Sequence, residues 1–291
     1  MQPAKLSVLL VLYLLAAVVV GSILAYLLAP ALDYAYEKVL SRSVLLAAGL
    51  GLIPLWRMLG LSASSVGLSM LDGKQMSTAF VLGLLVMLPL MVFFIVIGFR
   101  VWDTRVVILS ADFFSVCAVI FFSAWLVAIF EETLFRGVLQ VGLRRVYGFT
   151  ITALVVASLY AAVHFLRSDS NLEPTLWGGF AAVSGALGNM LSSSGHLDSF
   201  FALFLLGLLF SWVRERFSLW ACISLHAVWV MSLRIYKELT VRDVVHPMRE
   251  WVGEYDNFLG EATAFWLIFC FVVIALRQQW LRGYSGRDQI K

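Results

Sequence analysis

Eight stretches of this chain are apolar for long enough to cross a bilayer. The runs 6–29, 76–99, 112–130, 149–166, 197–213, 218–235 and 262–281 carry little charge, and 44–61, shorter and interrupted by Pro54 and Arg57, reads the same way. About 20 apolar residues in a helix cover the roughly 30 Å hydrocarbon core. Inside that core every backbone N–H and C=O must be satisfied by the chain itself, which leaves helices or a closed barrel. Continuous apolar runs, with no alternation of period two, select helices. With 62% hydrophobic and 13% charged residues, little apolar surface is left over for a soluble domain. The expected fold is all-α: a polytopic membrane protein of about eight transmembrane helices. The run 6–29 outlasts the roughly 7–15 apolar residues of a signal-peptide core, so it is read as a retained first span.

Residues 175–192 form a further apolar stretch, rich in glycine (Gly178, Gly179, Gly185, Gly188). It is expected to be re-entrant or interfacial, although glycine also suits close helix packing. The charges support this. With both termini on the cytoplasmic side and no crossing by 175–192, the turns at Arg144-Arg145 and Arg214-Glu215-Arg216 fall on that side together, as the positive-inside rule prefers. Three divisions follow: N-terminal transmembrane helices over 1–111, a core over 112–236, and an acidic extramembrane loop with a last transmembrane helix over 237–291. Trp56, Trp102, Trp177, Trp212, Trp220 and Trp280 stand near span ends, where an interfacial belt belongs.

Several function classes drop out. A net charge of +3 gives no reason to expect nucleic acid, and no GxGxxG marks a nucleotide site. Cys117, Cys222 and Cys270 are isolated in apolar runs, so they read as buried small hydrophobes rather than a disulfide frame or zinc site. No HExxH and no GxSxG is present, which weakens zincin and serine-hydrolase readings. No internal repeat is visible, which counts against an inverted-repeat transporter using carboxylates for protons.

What stands out is Phe130-Glu131-Glu132-Thr133-Leu134-Phe135-Arg136-Gly137, two carboxylates and a guanidinium in an apolar helix. Ionisable groups there are expensive and mark function. Adjacent helical residues point about 100° apart, so Glu131 and Glu132 cannot share a face. Glu132 and Arg136 are i and i+4 with the acid first, the favourable order for an ion pair. Glu131 needs another neighbour. His164 lies as many residues beyond the Tyr147-Gly148 turn as Glu131 lies before it, so a straight hairpin brings the two to one level. His226 sits mid-way along the run 218–235, while His196 and His246, in polar surroundings, read as solvated. A carboxylate and imidazoles at one level can act as general base and oxyanion donor on water, or hold a divalent metal that activates it.

These residues carry a resemblance. Glu131-Glu132-x-x-x-Arg136 resembles the EExxxR motif of the CPBP family of intramembrane glutamic endopeptidases, which includes Rce1-type CAAX prenyl proteases, bacteriocin-processing proteases and Abi proteins. Tyr160-x-x-x-His164 is similar to that family's FxxxH motif. Leu206-Gly207-Leu208, then Phe217-Ser218-Leu219-Trp220 and His226, look like its third block. That block ends in HxxxN, and Val230 stands in the Asn position. The resemblance spans about 112–232. It implies a multi-helical, metal-independent peptidase with no cofactor, divalent metal being the minority alternative. It also implies that Glu131, assisted by His164, activates water, that His226 stabilises the oxyanion, and that Glu132 and Arg136 orient the site or hold a substrate group.

The expected partners are a peptide or protein substrate in or beside the membrane (a C-terminal anchor, a leader peptide or a CAAX-like tail) and the lipid bilayer, with no nucleic acid and no nucleotide. The expected place is a bacterial inner membrane. The competing reading is a non-catalytic binding or immunity protein on the same scaffold, which Val230 favours.

Overall fold

The computed structural model describes residues 3–69, 71–165, 172–191, 197–253 and 255–285. It is nearly all helix. In chain order come α1 (Pro3–Leu28), α2 (Tyr36–Met58), the single turn α3 (Ala63–Val66), α4 (Gly73–Val96), α5 (Ala111–Glu132), α6 (Gln140–Arg144), α7 (Phe149–His164), α8 (Gly178–Leu191), α9 (Leu197–Arg216), α10 (Leu219–Leu239) and α11 (Glu261–Ser285). The eight expected spans are α1, α2, α4, α5, α7, α9, α10 and α11. Among the described residues six helices are long and apolar enough to cross a membrane, and α7 is a shorter apolar helix. The second of them starts at Tyr36, eight residues before the run 44–61, and carries Pro54 inside it.

Local signals set the helix starts. Ser110 Oγ accepts from the Phe113 N–H at 3.1 Å to cap α5, and Ser218 Oγ accepts from the Ala221 N–H at 3.1 Å to cap α10. Such caps satisfy N–H groups that the first helical turn leaves free. Between α5 and α6 the chain does not stop. Thr133–Leu139 is π-helical, and Ala111–Arg144 is one continuous helix of 34 residues. At about 1.5 Å per residue that is roughly 51 Å, well beyond one hydrocarbon core. The extra length lets Glu131 and His164 stand at one level with a full apolar run on either side of the hairpin.

α10 is the central post, lying against α4 on one side and α5 on the other, while α9 packs on α7 and α11. The close approach of α7 to α9 depends on Gly207, where a Cβ would lie 3.0 Å from the Ala157 Cα. The outer face of α5 presents Val119, Phe122 and Leu126, each more than two-thirds exposed, as a lipid-facing surface requires.

The all-α fold and a non-crossing segment over 175–192 hold, and two smaller expectations, for His246 and for the cysteines, need correction. Residues 178–191 are an ordinary helix, α8, of 14 residues; about 21 Å of helix is too short to span. Its glycines serve close packing on α1 and α2: Gly179 N–H donates to Ser22 Oγ at 2.9 Å, and Gly178 abuts Tyr36. Beside the helices, Arg100–Trp102 (β1) pairs antiparallel with Thr240–Arg242 (β2) and ties the ends of α4 and α10 together. His246 is not solvated: it is half-buried, its Nε2 donates to Ile97 O at 2.9 Å and its Nδ1 accepts from Met248 N at 3.1 Å. Of the cysteines only Cys222 is fully buried. His196 lies outside the described residues.

Candidate active site

Glu131 and Glu132 end the α-helical part of α5, and they face different surroundings. Glu132 is sealed, with no exposure, and so is Arg136. Glu132 Oε1 lies 3.2 Å from Arg136 Nη1 and 2.8 Å from His226 Nδ1. The guanidinium is boxed by three rings, those of Tyr160 (4.5 Å to the centroid), Phe210 (5.1 Å) and Phe135 (5.6 Å). A buried charge is tolerated only when paired and hydrogen-bonded, and the negative ring faces add a further attraction.

Glu131 reaches the other way. Its side chain keeps 13% exposure, and its Oε2 has no hydrogen-bond partner among the described residues. That oxygen lies 3.9 Å from His164 Nε2 and 4.0 Å from His226 Nε2. Three polar atoms on α5, α7 and α10 thus converge at separations slightly too long for direct hydrogen bonds and short enough for one small molecule to touch all three.

The remaining nitrogens fix the tautomers. His164 Nδ1 lies 2.7 Å from Tyr160 O, so it donates to that carbonyl and leaves Nε2 as an acceptor when the ring is neutral. His226 Nδ1 donates to the Glu132 carboxylate. Its Nε2 therefore carries a hydrogen only when the ring is an imidazolium, with Glu132 as the counter-charge. The ring is held flat against Phe210, centroids 5.2 Å apart.

The five residues singled out in the sequence, Glu131, Glu132, Arg136, His164 and His226, thus lie in one cluster. Two details differ from the sequence geometry. The hairpin is not a straight packed pair, since α7 packs along α9 and meets the α5 chain at the π segment. And the nearest partner of His226 is Glu132, not Glu131.

Sequence reasoning missed the device that holds this cluster. Arg136 Nη2 donates to Gly207 O, Gln140 Nε2 to Ser211 O, and Arg144 Nη2 to Glu215 Oε1, each at 3.1 Å. Each rung advances four residues on both helices, so the α6 chain and α9 run parallel, locked by a ladder. Arg214 adds a cross-tie, donating from Nε to Arg136 O at 3.3 Å and from Nη2 to Val66 O at 3.1 Å. The Arg144–Glu215 rung also puts the turns after α6 and α9 at the same end of the bundle, as a non-crossing α8 requires. Val230, half-buried one turn beyond His226, offers no polar group.

No group of three or more His, Cys, Asp and Glu arranged to hold a metal is present among the described residues. Comparison with known proteins gives one match. Residues 113–232, about two-fifths of the chain and containing all five clustered residues, match the family described as type II CAAX prenyl endopeptidase Rce1-like. No curated protein and no solved structure matches the chain. Over residues 113–232 the chain is therefore similar to the Rce1-like domain of the CPBP family.

Proposed function

We propose that this protein is an intramembrane endopeptidase in which Glu131 is the general base. The observation that carries this reading is the near-equal approach of Glu131 Oε2 to two imidazole Nε2 atoms, 3.9 and 4.0 Å away. A water between Glu131 and His164 gives its proton to the carboxylate, and its oxygen attacks the carbonyl carbon of the scissile peptide. The oxyanion accepts from His226 Nε2–H of the imidazolium, which Glu132 supports from the other side of the ring. The proton held on Glu131 then passes to the leaving amide nitrogen as the C–N bond breaks. Glu132 and Arg136 orient and neutralise and do not touch substrate, since both are sealed from it. The substrate is a membrane-embedded or membrane-proximal peptide.

Val230 leaves the oxyanion with one donor fewer than an Asn there would supply, and favours a non-catalytic binding protein as the second reading. Losing one such donor costs about 2.7–4 kcal/mol in the transition state, which slows a peptidase without abolishing it. New peptide termini mapped in membranes of cells carrying wild type or Glu131→Gln separate the two. Termini that depend on Glu131 support proteolysis, and identical termini sink it. Activity that survives a chelator fits the glutamate mechanism, and activity lost to the chelator and restored by a divalent metal overturns it.

A further inference from the structure

One cavity stands apart from the glutamates. It lies at the far end of the ladder, has a volume of about 400 Å³, and is lined by Gln140, Val141, Arg144, Arg145, Arg214, Glu215 and Phe217. Three guanidiniums face one carboxylate. Arg144 is paired with Glu215. Arg145 and Arg214 are held by carbonyls instead: Arg145 Nη1 donates to Leu59 O at 2.9 Å, and Arg214 Nη2 to Val66 O. Carbonyl bonds orient a guanidinium but do not cancel its charge, so the cavity holds two positive charges in excess, preorganised by the backbone.

Its position is interfacial. α6 and α9 end there and α10 begins there, Trp212 packs edge-on against the lining Phe217 with ring centroids 6.0 Å apart, and Tyr147 and Trp220, just past the end of α6 and at the start of α10, are half-buried, the aromatic signature of headgroup depth. The rim is apolar on one side, where Phe217 is 51% exposed. Guanidiniums over an aromatic and aliphatic edge suit an anion that carries acyl chains. A free carboxylate or a soluble anion has no use for that edge, whereas a lipid phosphate takes bidentate guanidinium bonds and lays its glycerol against Val141 and Phe217.

We propose that this cavity binds the phosphate of an anionic lipid headgroup. The site is separate from the hydrolytic cluster, and its test reads binding without cleavage. Wild type, Arg144→Gln/Arg145→Gln and Glu215→Gln are purified in neutral detergent. Phosphatidylglycerol is titrated into each against phosphatidylcholine, with lipid retained on the protein counted by native mass spectrometry. Wild type should prefer phosphatidylglycerol. The double variant should bind it about 30-fold more weakly, at about fivefold per basic residue facing an anionic headgroup. Glu215→Gln, which removes the one opposing charge, should bind it more tightly, a direction that misfolding cannot imitate. No preference in wild type, or Glu215→Gln binding more weakly, overturns the proposal. So does inorganic phosphate displacing the lipid at equal concentration, which would make this a site for free phosphate.

Discussion

Replacing the two adjacent glutamates one at a time by glutamine should move stability in different directions. Glu132 Oε1 serves both Arg136 and His226, and neither Glu132 nor Arg136 has any exposure. Glu132→Gln leaves the shape and an oxygen acceptor but strands the guanidinium among three rings and the Gly207 carbonyl. Removing one partner of a buried ion pair costs about 3–5 kcal/mol, because the other charge stays buried. At roughly 2 °C per kcal/mol for a chain of this size, the melting point should fall by about 6–10 °C. Glu131 offers the opposite case. Its Oε2 has no partner to lose, and an active-site charge held for function is commonly a stability liability, so Glu131→Gln should be neutral or stabilising by up to about 1 kcal/mol.

Thermal unfolding by intrinsic fluorescence, in one detergent and at one pH, measures both. The double variant Glu132→Gln/Arg136→Met supplies the control, since it removes the lone charge. It should melt above Glu132→Gln if the stranded guanidinium is the cause. Equal melting points for the two glutamine variants, or a lower one for Glu131→Gln, would refute the division of roles between them.

Three further outcomes follow from the same geometry. The Phe130 ring lies directly over Gly49 of α2, so Gly49→Ala must push the residue next to Glu131; cleavage should fall with a stability loss of about 1–3 kcal/mol, and Gly49→Ala/Phe130→Leu should recover part of the cleavage in the same assay. Gly207→Val puts a branched side chain against the Ala157 backbone, where even a Cβ would be 3.0 Å away; it should cost about 1–3 kcal/mol in melting experiments and reduce cleavage further, because α7 carries His164. His226→Phe keeps a ring against Phe210 but removes the donor to the oxyanion, so kcat should fall by about 10²–10³-fold in the same assay, and an unchanged kcat would take His226 out of that role.

The spans were legible because hydropathy is a property of each residue and needs no partner. The meeting of Glu131 with His164 was legible from their equal spacing about Tyr147-Gly148, although α7 keeps to α9. What stayed hidden lies mostly in the backbone. The π turn over Thr133–Leu139 shifts hydrogen bonds from i+4 to i+5, and no side chain announces that. Two of the three ladder rungs end on carbonyls, of Gly207 and Ser211, which every residue possesses. The β1–β2 pair rests on three residues a side, too few for an alternating pattern to register, and Arg100 reads as a loop charge until its bonds to Thr240 Oγ1 and O at 2.7 and 2.8 Å are seen. The polar stripe Arg136, Gln140, Arg144, spaced by four, was readable as one helical face; its partner stripe became visible only with Glu215.

The ladder explains how a site between membrane helices keeps its dimensions. Active groups need placement to about 0.5 Å, while one residue of slip along a helix moves everything by about 1.5 Å. Because the three rungs share one offset, a slip between the α6 chain and α9 breaks all of them together, at about 1 kcal/mol or more for each hydrogen bond. Arg214 holds the Arg136 carbonyl as well, so the residue is fixed by backbone and side chain at once. Arg136 sets the height of Glu132, Glu132 sets the turn of the His226 ring, and His226 presents Nε2 to the same point that Glu131 and His164 face. The geometry of the cluster is therefore a matter of helix register, specified a full turn and more away from the point where Glu131, His164 and His226 converge.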